Sequence, residues 1–428
     1  MLRKYIEMFD DLLVVDESVS RVIDAARILK ANQGVPVFFN DLDGYIAVGN
    51  LWATRKRIAR GIGIEKKDLL RVLLAAMERP EECVIEENPE FMQNILTKFD
   101  LTESPIPKYF PHDGGHYITS GVISAEFAGK RNLSFHRMMV LDSGRLAVRL
   151  VPRHLYNMYN QAMEAGEDLR VAVSIGLPPE VLLAAAMSVS YDTDESQIAS
   201  AISLIARDER LKLSRLESGL YVPASSEYVF EGRITPELVD EGPFVDITGT
   251  YDEVRKQPVI EIDRIYHVND PIFHLLLPGG NEHFLLMGLP REPVIYRSVQ
   301  NVVPTVHDVR LTEGGCSWLN GVVSITPQRR GDAKNAIMAA FSGHPSMKQV
   351  IVVDEDINIH DDREVEWAVA TRCQPDRDIT IVSGTRGSSL DPSIKEDGTT
   401  AKIGIDATIP LEKKRELFTR ATFDSKEN

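Results

Sequence analysis

The sequence predicts a multidomain protein of mixed α/β and α+β class, with a β-rich centre between two α/β domains. Three observations predict it. The first hundred residues mix helical spacing with short strands. Short β-type runs follow one another from Tyr117. Strand and helix patterns then alternate from Gly321 to Val382. A chain of 428 residues has room for two or three cores. The domains are read as 1–110, 111–315 and 316–428.

Each element has its own warrant. In Ser18–Leu29, Val22, Ile23, Ala26 and Leu29 fall on one helical face. Val35–Phe39 is a short β-type run followed by an Asp43-Gly44 turn, and Trp52–Ile62 and Lys67–Met77 have helical spacing. Pro105, Pro107 and Asp113-Gly114-Gly115 punctuate the chain near the first boundary. Beyond it, Tyr117–Ser124, Arg137–Leu141, Leu146–Val151 and Val171–Ile175 are β-type, and Glu180–Ser188 is helical. Glu227–Phe230, Val259–Ile262 and Ile272–Leu276 add strands, which suggests a barrel or sandwich. Gly321–Ile325, Asp332–Phe341, Gln349–Val353, Asp362–Arg372 and Ile379–Val382 read as strand, helix, strand, helix, strand. That order predicts a mainly parallel sheet. The tail from Arg386 is rich in Gly, Ser and Lys, with one ordered segment at Lys402–Ala407.

Composition narrows the function classes. Lys plus Arg is 48 and Asp plus Glu is 64, a net charge of −16. That acidic balance argues against a duplex-binding protein, which carries a basic face for phosphate, and leaves room for a local basic pocket for one phosphorylated ligand. No apolar run is long enough to span a bilayer, and acids interrupt the N-terminus where a signal peptide would stay apolar. Cys83, Cys316 and Cys373 are far apart and form no CxxC pair. A soluble cytoplasmic protein is expected.

Familiar phosphate and calcium motifs are missing. There is no P-loop, Gly61-Ile-Gly63 lacks the rest of a dinucleotide fingerprint, and no G-x-S-x-G elbow occurs. Asp354-Glu-Asp356-Ile-Asn358 begins like a calcium loop, but Ile359 stands where the turn needs glycine. Those acids read instead as the end of a strand before a helix.

Four segments combine polar groups in ways that suit a ligand. Asn132-Leu-Ser134-Phe-His136-Arg137 runs into a strand, and Arg137 offers a planar fork for carboxylate or phosphate. Pro152-Arg153-His154 ends the next strand. Ala184–Met187 precedes Asp192-Thr-Asp194-Glu195. Glu241-Gly-Pro-Phe-Val-Asp246 has a Gly-Pro turn able to bring two carboxyl groups together. Two acids beside an arginine form an acid–base set: the arginine holds one ionised, and burial lets the other carry a proton. Each segment alone is more simply a surface or core feature.

Taken in order, these segments resemble the UbiD family of decarboxylases. The matching text is HYITSGVI, NLSFHRMMVLDSGRLAVRLVPRH, VAVSIGLPPEVLLAAAM, VPASSEYVFEGRI, EGPFVDITGTY, VVDEDINIHDDREVEWAVATR and KIGIDAT. GYIAVGNLWATRKRIARGIGI matches more loosely. The resemblance implies a central split β-barrel that binds prenylated FMN and a C-terminal α/β domain used for oligomerisation. It implies reversible, non-oxidative decarboxylation of an α,β-unsaturated or aromatic acid.

Residue by residue, the resemblance implies Arg137, Glu241 and Asp246 as the catalytic set. Asn132, His154 and Glu195 would hold a divalent ion, typically Mn²⁺, at the cofactor phosphate. Ser134, Phe135, Arg137, Arg153, His154, Met187 and Lys348 would contact the cofactor, and Ala184 and Ala185 would offer carbonyls near a K⁺ ion. Two departures stand out: Val245 replaces the family's usual glycine, and Arg153 stands where some members are neutral.

The implied partners are a small carboxylic acid, a flavin prenyltransferase that supplies the cofactor, and further copies of the chain as dimer or hexamer. Short members of this kind convert anhydromevalonate phosphate to isopentenyl phosphate. An aromatic, 4-hydroxybenzoate-type acid of quinone biosynthesis is the alternative. An FMN-dependent oxidoreductase and a non-catalytic binding protein are the readings from other classes.

Overall fold

The computed structural model describes residues 1–421 and divides into two compact units, Met1–Pro290 and Arg291–Asn428. The first unit holds two sheets that matter for the site. A four-stranded sheet runs in the order Leu13–Val15, Val37–Leu42, Tyr45–Gly49, Ile272–Leu275. Ile272–Leu275 pairs parallel with Tyr45–Gly49, so this strand leaves the central β-rich region, in which the sequence pattern had grouped it. Short apolar strands carry no label for the sheet they join; the crossover decides it.

The helices beside this sheet start and stop where local chemistry dictates. Arg55–Ile62 begins at Thr54, whose Oγ1 accepts the Arg57 N–H at 3.2 Å. It ends at Gly63, which takes the left-handed φ of 97° that a C-terminal cap favours. Leu69–Glu78 buries Leu69, Val72, Leu73 and Ala76 in the same apolar cluster as Trp52 and Ile58.

The second sheet has nine strands. Its path runs Tyr117–Ile118, Met138–Val140, Arg145–Val148, Arg255–His267, Tyr228–Glu241, Leu169–Ile175, Val122–Phe127, Lys130–Phe135, with Asn94–Leu96 added beside Arg255–His267. Every pairing is antiparallel. The two end strands do not pair with each other, so the hydrogen-bonded path is open among the described residues. Tyr228–Glu241 and Arg255–His267 form its long spine, with register shifts after Glu231 and Ile234. One face packs a large core that includes Ile123, Leu146, Val148, Val173, Phe230 and Ile260. Three helices not read from the sequence flank this region: His154–Ala165, Glu195–Arg207 and Asn281–Gly288.

The second unit is a five-stranded sheet in the order Val306–Leu311, Asn320–Ile325, Gln349–Asp354, Thr399–Ala407, Ile379–Arg386. The helices expected at Asp332–Phe341 and Asp362–Arg372 are present as Asp332–Gly343 and Asp362–Arg372. The expectation of a mainly parallel sheet needs correction, since only two of the four pairings are parallel. The segment Ile379–Val382, expected as the third parallel strand, lies in Ile379–Arg386. It is an antiparallel edge strand, and Thr399–Ala407 takes the interior place. Burial explains the exchange. Ile381 is 68% exposed, whereas Ala407 is fully buried.

The acids that begin like a calcium loop have a structural partner. Arg372 donates from Nη1 to Asp354 at 2.8 Å and from Nη2 to Asp356 at 2.7 Å. The side chains of Arg372 and Asp354 are 0% and 1% exposed. Removing one partner of such a pair leaves a buried charge uncompensated. Arg372→Met is therefore expected to destabilise the second unit by about 3–5 kcal/mol, read as a lower midpoint of its transition in urea.

Candidate active site

The site begins with the register of three strands. Met139 lies opposite Ala147 and Met138 opposite Val148, and the Arg149 N–H donates to the Arg137 carbonyl at 3.1 Å, extending that ladder. Side chains two residues apart share a face. Arg137 therefore projects on the face that carries Met139, Ala147, Tyr117 and Phe244. At the far end of the spine, Glu241 lies opposite Arg255. The chain then turns through Gly242-Pro243 into a small hairpin, Phe244–Val245 with Tyr251–Asp252.

Gly242 takes φ = 105°, a conformation glycine adopts freely. Val245, which departs from the family's glycine, is not among the residues with positive φ and lies buried in a strand. The substitution is thus compatible with the turn. Asp113-Gly114-Gly115, which punctuates the sequence, clamps this turn: the Gly114 N–H donates to the Pro243 carbonyl at 2.7 Å. A Cβ on Gly114 would stand 2.2 Å from the Gly242 carbonyl oxygen, so only glycine fits.

These elements surround Arg137 with three carboxylates. Nε and Nη2 donate to the two oxygens of Glu241 at 2.9 and 3.0 Å. Nη1 donates to Asp246 at 2.6 Å, and Nη2 also reaches Asp252 at 3.1 Å. The guanidinium carbon sits 4.6 Å from the centre of the Phe244 ring. Side-chain exposures are 8% for Arg137, 0% for Glu241 and 18% for Asp246, so the last is the most accessible of the three. Burial alone would lower the Arg137 pKa, but Glu241, Asp246 and Asp252 outweigh it and raise it. Burial also works against an ionised Asp252, yet Arg255 and Arg137 prevail and its pKa is lowered. Burial and Glu241 both raise the Tyr117 phenol, which donates to Glu241 at 3.1 Å.

A second cluster gathers at Glu195. This residue opens the helix Glu195–Arg207, whose cap is the Asp194 side chain accepting the Ser196 N–H at 2.9 Å. Glu195 Oε1 lies 3.1 Å from both Asn132 Nδ2 and His154 Nδ1, and its Oε2 accepts the Leu133 N–H at 2.9 Å. Asn132 belongs to the strand Lys130–Phe135, and His154 opens the helix His154–Ala165. Three elements thus bring an amide, an imidazole and a carboxylate to one point. That donor set suits a hard-to-borderline divalent ion. Among the described residues no three or more His, Cys, Asp or Glu side chains form a group that could hold a metal ion by themselves, so this mixed set depends on its amide.

His136 links the two clusters. Its Nδ1 is 2.9 Å from the Arg149 carbonyl and its Nε2 is 2.9 Å from Ser134 Oγ. A carbonyl only accepts, so Nδ1 carries the proton, and Nε2 shares the single Ser134 hydroxyl proton with Asn132 Oδ1. Burial lowers the imidazole pKa to about 4. Ser134 Oγ also lies 2.7 Å from Asn132 Oδ1.

The other expected contacts are distributed as follows. Phe135 is half-buried and Met187 buried, and both pack into the first unit's large apolar cluster. Arg153 Nη1 donates to Ser188 Oγ at 2.6 Å. The Ala184 carbonyl accepts the Met187 N–H at 3.0 Å. Lys348 is engaged inside the second unit, where Nζ donates to Asp391 at 2.9 Å and to Ser393. A phosphate at Lys348 would have to compete with that carboxylate.

Sequence reasoning missed Tyr117, Asp252, Arg255 and His283. Thr248-Gly249-Thr250 was the available signal for Asp252, since a turn there returns the chain beside Phe244. His283, on the first turn of Asn281–Gly288, accepts the Gly279 N–H at Nδ1 at 3.1 Å. Burial lowers its pKa; Asp246 opposes that shift and Arg137 adds to it. It gave no signal, because the segment holding it lies 37 residues beyond Asp246.

An arginine held among carboxylates, one of them partly exposed, is able to grip and protonate an organic acid. The comparisons give that chemistry a family. The chain matches the 3-octaprenyl-4-hydroxybenzoate carboxy-lyase N-terminal domain over residues 4–77, the Rift-related domain over 83–281 and the C-terminal domain over 284–407. It is 45% identical over 430 residues to an anhydromevalonate phosphate decarboxylase of Methanocaldococcus jannaschii, covering 99% of this chain and 100% of that one. A protein of the same description from Methanosarcina mazei is 46% identical over 412 residues, covering 96% and 95%. Among solved structures, the UbiD-class enzyme HmfF from Pelotomaculum thermopropionicum in complex with FMN has a TM-score of 0.95 at 37% identity, covering 99% of this chain and 97% of that one. An evolved dimeric form of HmfF, in complex with prFMN, has a TM-score of 0.89 at 36% identity, covering 97% and 96%. The chain belongs to the UbiD family of decarboxylases.

The His136 shift has a consequence for stability. The unfolded chain takes up this proton near pH 6.5 and the folded chain only near pH 4. The contribution is therefore complete above pH 6.5 and is lost as the pH falls toward 4. A series of thermal melts should give a Tm that rises across that window, with a shallower rise in His136→Asn.

Proposed function

We propose that the chain decarboxylates trans-anhydromevalonate 5-phosphate to isopentenyl phosphate, using prenylated FMN. The observation that carries this reading is identity of 45% over the full length of a curated anhydromevalonate phosphate decarboxylase. The geometry at Arg137 supports it. In the same reading the open nine-stranded sheet is the family's split barrel. Asn132, His154 and Glu195 hold a divalent ion, Mn²⁺ in the family, that anchors the flavin phosphate. The carbonyls of Ala184 and Ala185 serve a K⁺ ion. A flavin prenyltransferase supplies the cofactor. The enzyme works in the cytoplasm as a homo-oligomer, dimer or hexamer; no helix among the described residues is long and apolar enough to cross a membrane.

The chemistry divides between cofactor and chain. Loss of CO₂ leaves an electron pair on carbon that no side chain stabilises, and the bound prenylated flavin supplies the electron sink. Arg137 receives the substrate carboxylate. Each of its three nitrogens already donates to a carboxylate, so the substrate competes with one of these acids. Asp246 is the candidate, because it is the most exposed of the three and is held through a single nitrogen. Glu241 keeps Arg137 in place through the paired contact. Once released, Asp246 delivers the proton that replaces CO₂. Tyr117 fixes Glu241 from behind.

Two variants test these roles separately. Asp246→Asn should retain flavin and metal while turnover falls by about 10²–10⁴-fold, the usual worth of a positioned proton donor. Turnover at the wild-type rate would remove Asp246 from the mechanism. Glu195→Gln should lower both metal and flavin content per chain, measured by elemental analysis and absorbance. Unchanged content would refute the ligand assignment. The substrate itself is tested by assaying CO₂ release from the phosphorylated acid with holoenzyme made alongside a flavin prenyltransferase.

A further inference from the structure

Arg149 is an arginine of the site without an acid. The register that pairs Met139 with Ala147 brings Arg149 opposite Arg137, with the backbone bond already noted. The pairing of Ala147 with Val259 continues to Gln257 on the other side, and Gln257 accepts the Leu150 N–H at 2.8 Å. Val148 and Leu150 point into the core, so Arg149 projects to the opposite face, with Arg137 and Ala147. Directly opposite like charges destabilise a sheet unless an anion lies between or beside them.

The three acids here are committed elsewhere. Glu241, Asp246 and Asp252 all contact Arg137, and Asp252 also pairs with Arg255. Among the described residues the Arg149 side chain makes one hydrogen bond, from Nη1 to the Leu150 carbonyl at 3.5 Å, and no ion pair. Its guanidinium is half-buried. A half-buried guanidinium beside a second one, with its donors largely unused, is a receptor for a multiply charged oxyanion.

We infer that Arg149 binds the phosphate of a phosphorylated acid whose carboxylate sits on Arg137, and so selects phosphorylated over unphosphorylated substrates. The inference rests on the substrate reading above and adds the residue that enforces it. The two arginines face the same side of adjacent strands, a spacing that matches an acid with a phosphate a few bonds from its carboxylate. Burial, Arg137 and Arg255 each disfavour charge on Arg149, while Asp252 and Glu241 only partly compensate. An incoming dianion relieves that imbalance. The flavin phosphate is the other source of the same chemistry, and the test separates the two.

The probe is the saturated phosphorylated acid of the same carbon skeleton, which has no alkene and cannot lose CO₂ by this route. Its unphosphorylated counterpart is the control. Both are titrated calorimetrically into holoenzyme. Wild type should prefer the phosphorylated probe, and Arg149→Gln should lose about 10- to 100-fold of that preference, the worth of charge-assisted hydrogen bonds. Binding of the control should be unchanged, Arg149→Lys should recover part of the loss, and flavin content should equal wild type. A preference retained in Arg149→Gln, or absent from wild type, overturns the inference. Loss of flavin in parallel overturns it in favour of the cofactor phosphate. If wild type binds the phosphorylated probe through Arg149 but releases no CO₂ from the unsaturated acid, the substrate reading fails while the phosphate site stands.

Discussion

The paired contact between Arg137 and Glu241 is the constraint on which the site depends. Both side chains are almost wholly out of water. An isolated charge in that position would be costly, and the pair is tolerable because two parallel hydrogen bonds satisfy it. The pairing fixes the plane of the guanidinium and leaves one edge, Nη1, aimed at Asp246. The direction in which a ligand carboxylate can approach is set before any ligand arrives.

Sheet register is what makes the pair possible. Residues 137 and 241 are far apart in the chain, yet Glu241 ends one strand of the antiparallel sheet and Arg137 immediately precedes another, Met138–Val140. A slip of one residue in either strand would send its charged side chain to the opposite face. Buried apolar neighbours on alternating positions oppose such slips: Leu146 and Val148 face the large core, and Ala147 faces Tyr117 and Phe244. The Gly114 clamp on the Gly242 turn then restricts where Asp246 can go. Fold stability and site geometry therefore share the same residues.

Legibility in the sequence followed the range of the interaction. Asp362–Arg372 was readable to the residue because helix spacing and caps are local. The Arg–acid–acid grouping was readable only through ordered resemblance, since no local rule links positions a hundred residues apart. The sheet partner of Ile272–Leu275 and the edge place of Ile379–Arg386 were not readable, because both depend on which neighbour covers a strand. Asp252, Tyr117 and Arg149 escaped for a related reason. Each acts through a cross-strand neighbour, and an isolated Asp, Tyr or Arg in a β-type run is ordinarily a surface or core residue.

Charge counting around the site suggests how binding and proton delivery are coupled. Three guanidiniums, Arg137, Arg149 and Arg255, share one region with three carboxylates, Glu241, Asp246 and Asp252. The ligand-free site is therefore balanced in sum, though not in its pairings. A substrate carrying both a carboxylate and a phosphate adds at least two negative charges. Opposite charges 4 Å apart interact by about 4 kcal/mol at an effective dielectric of about 20, so an excess of anions at this distance is not neutral to the protons nearby. In the function and phosphate site proposed above, Arg149 takes the phosphate and the substrate carboxylate takes the Arg137 edge that Asp246 uses in the free site. Asp246 would then lose its cation and gain a negative neighbour. On that proposal, the event that seats the substrate also frees Asp246, the group proposed to give up a proton after CO₂ leaves.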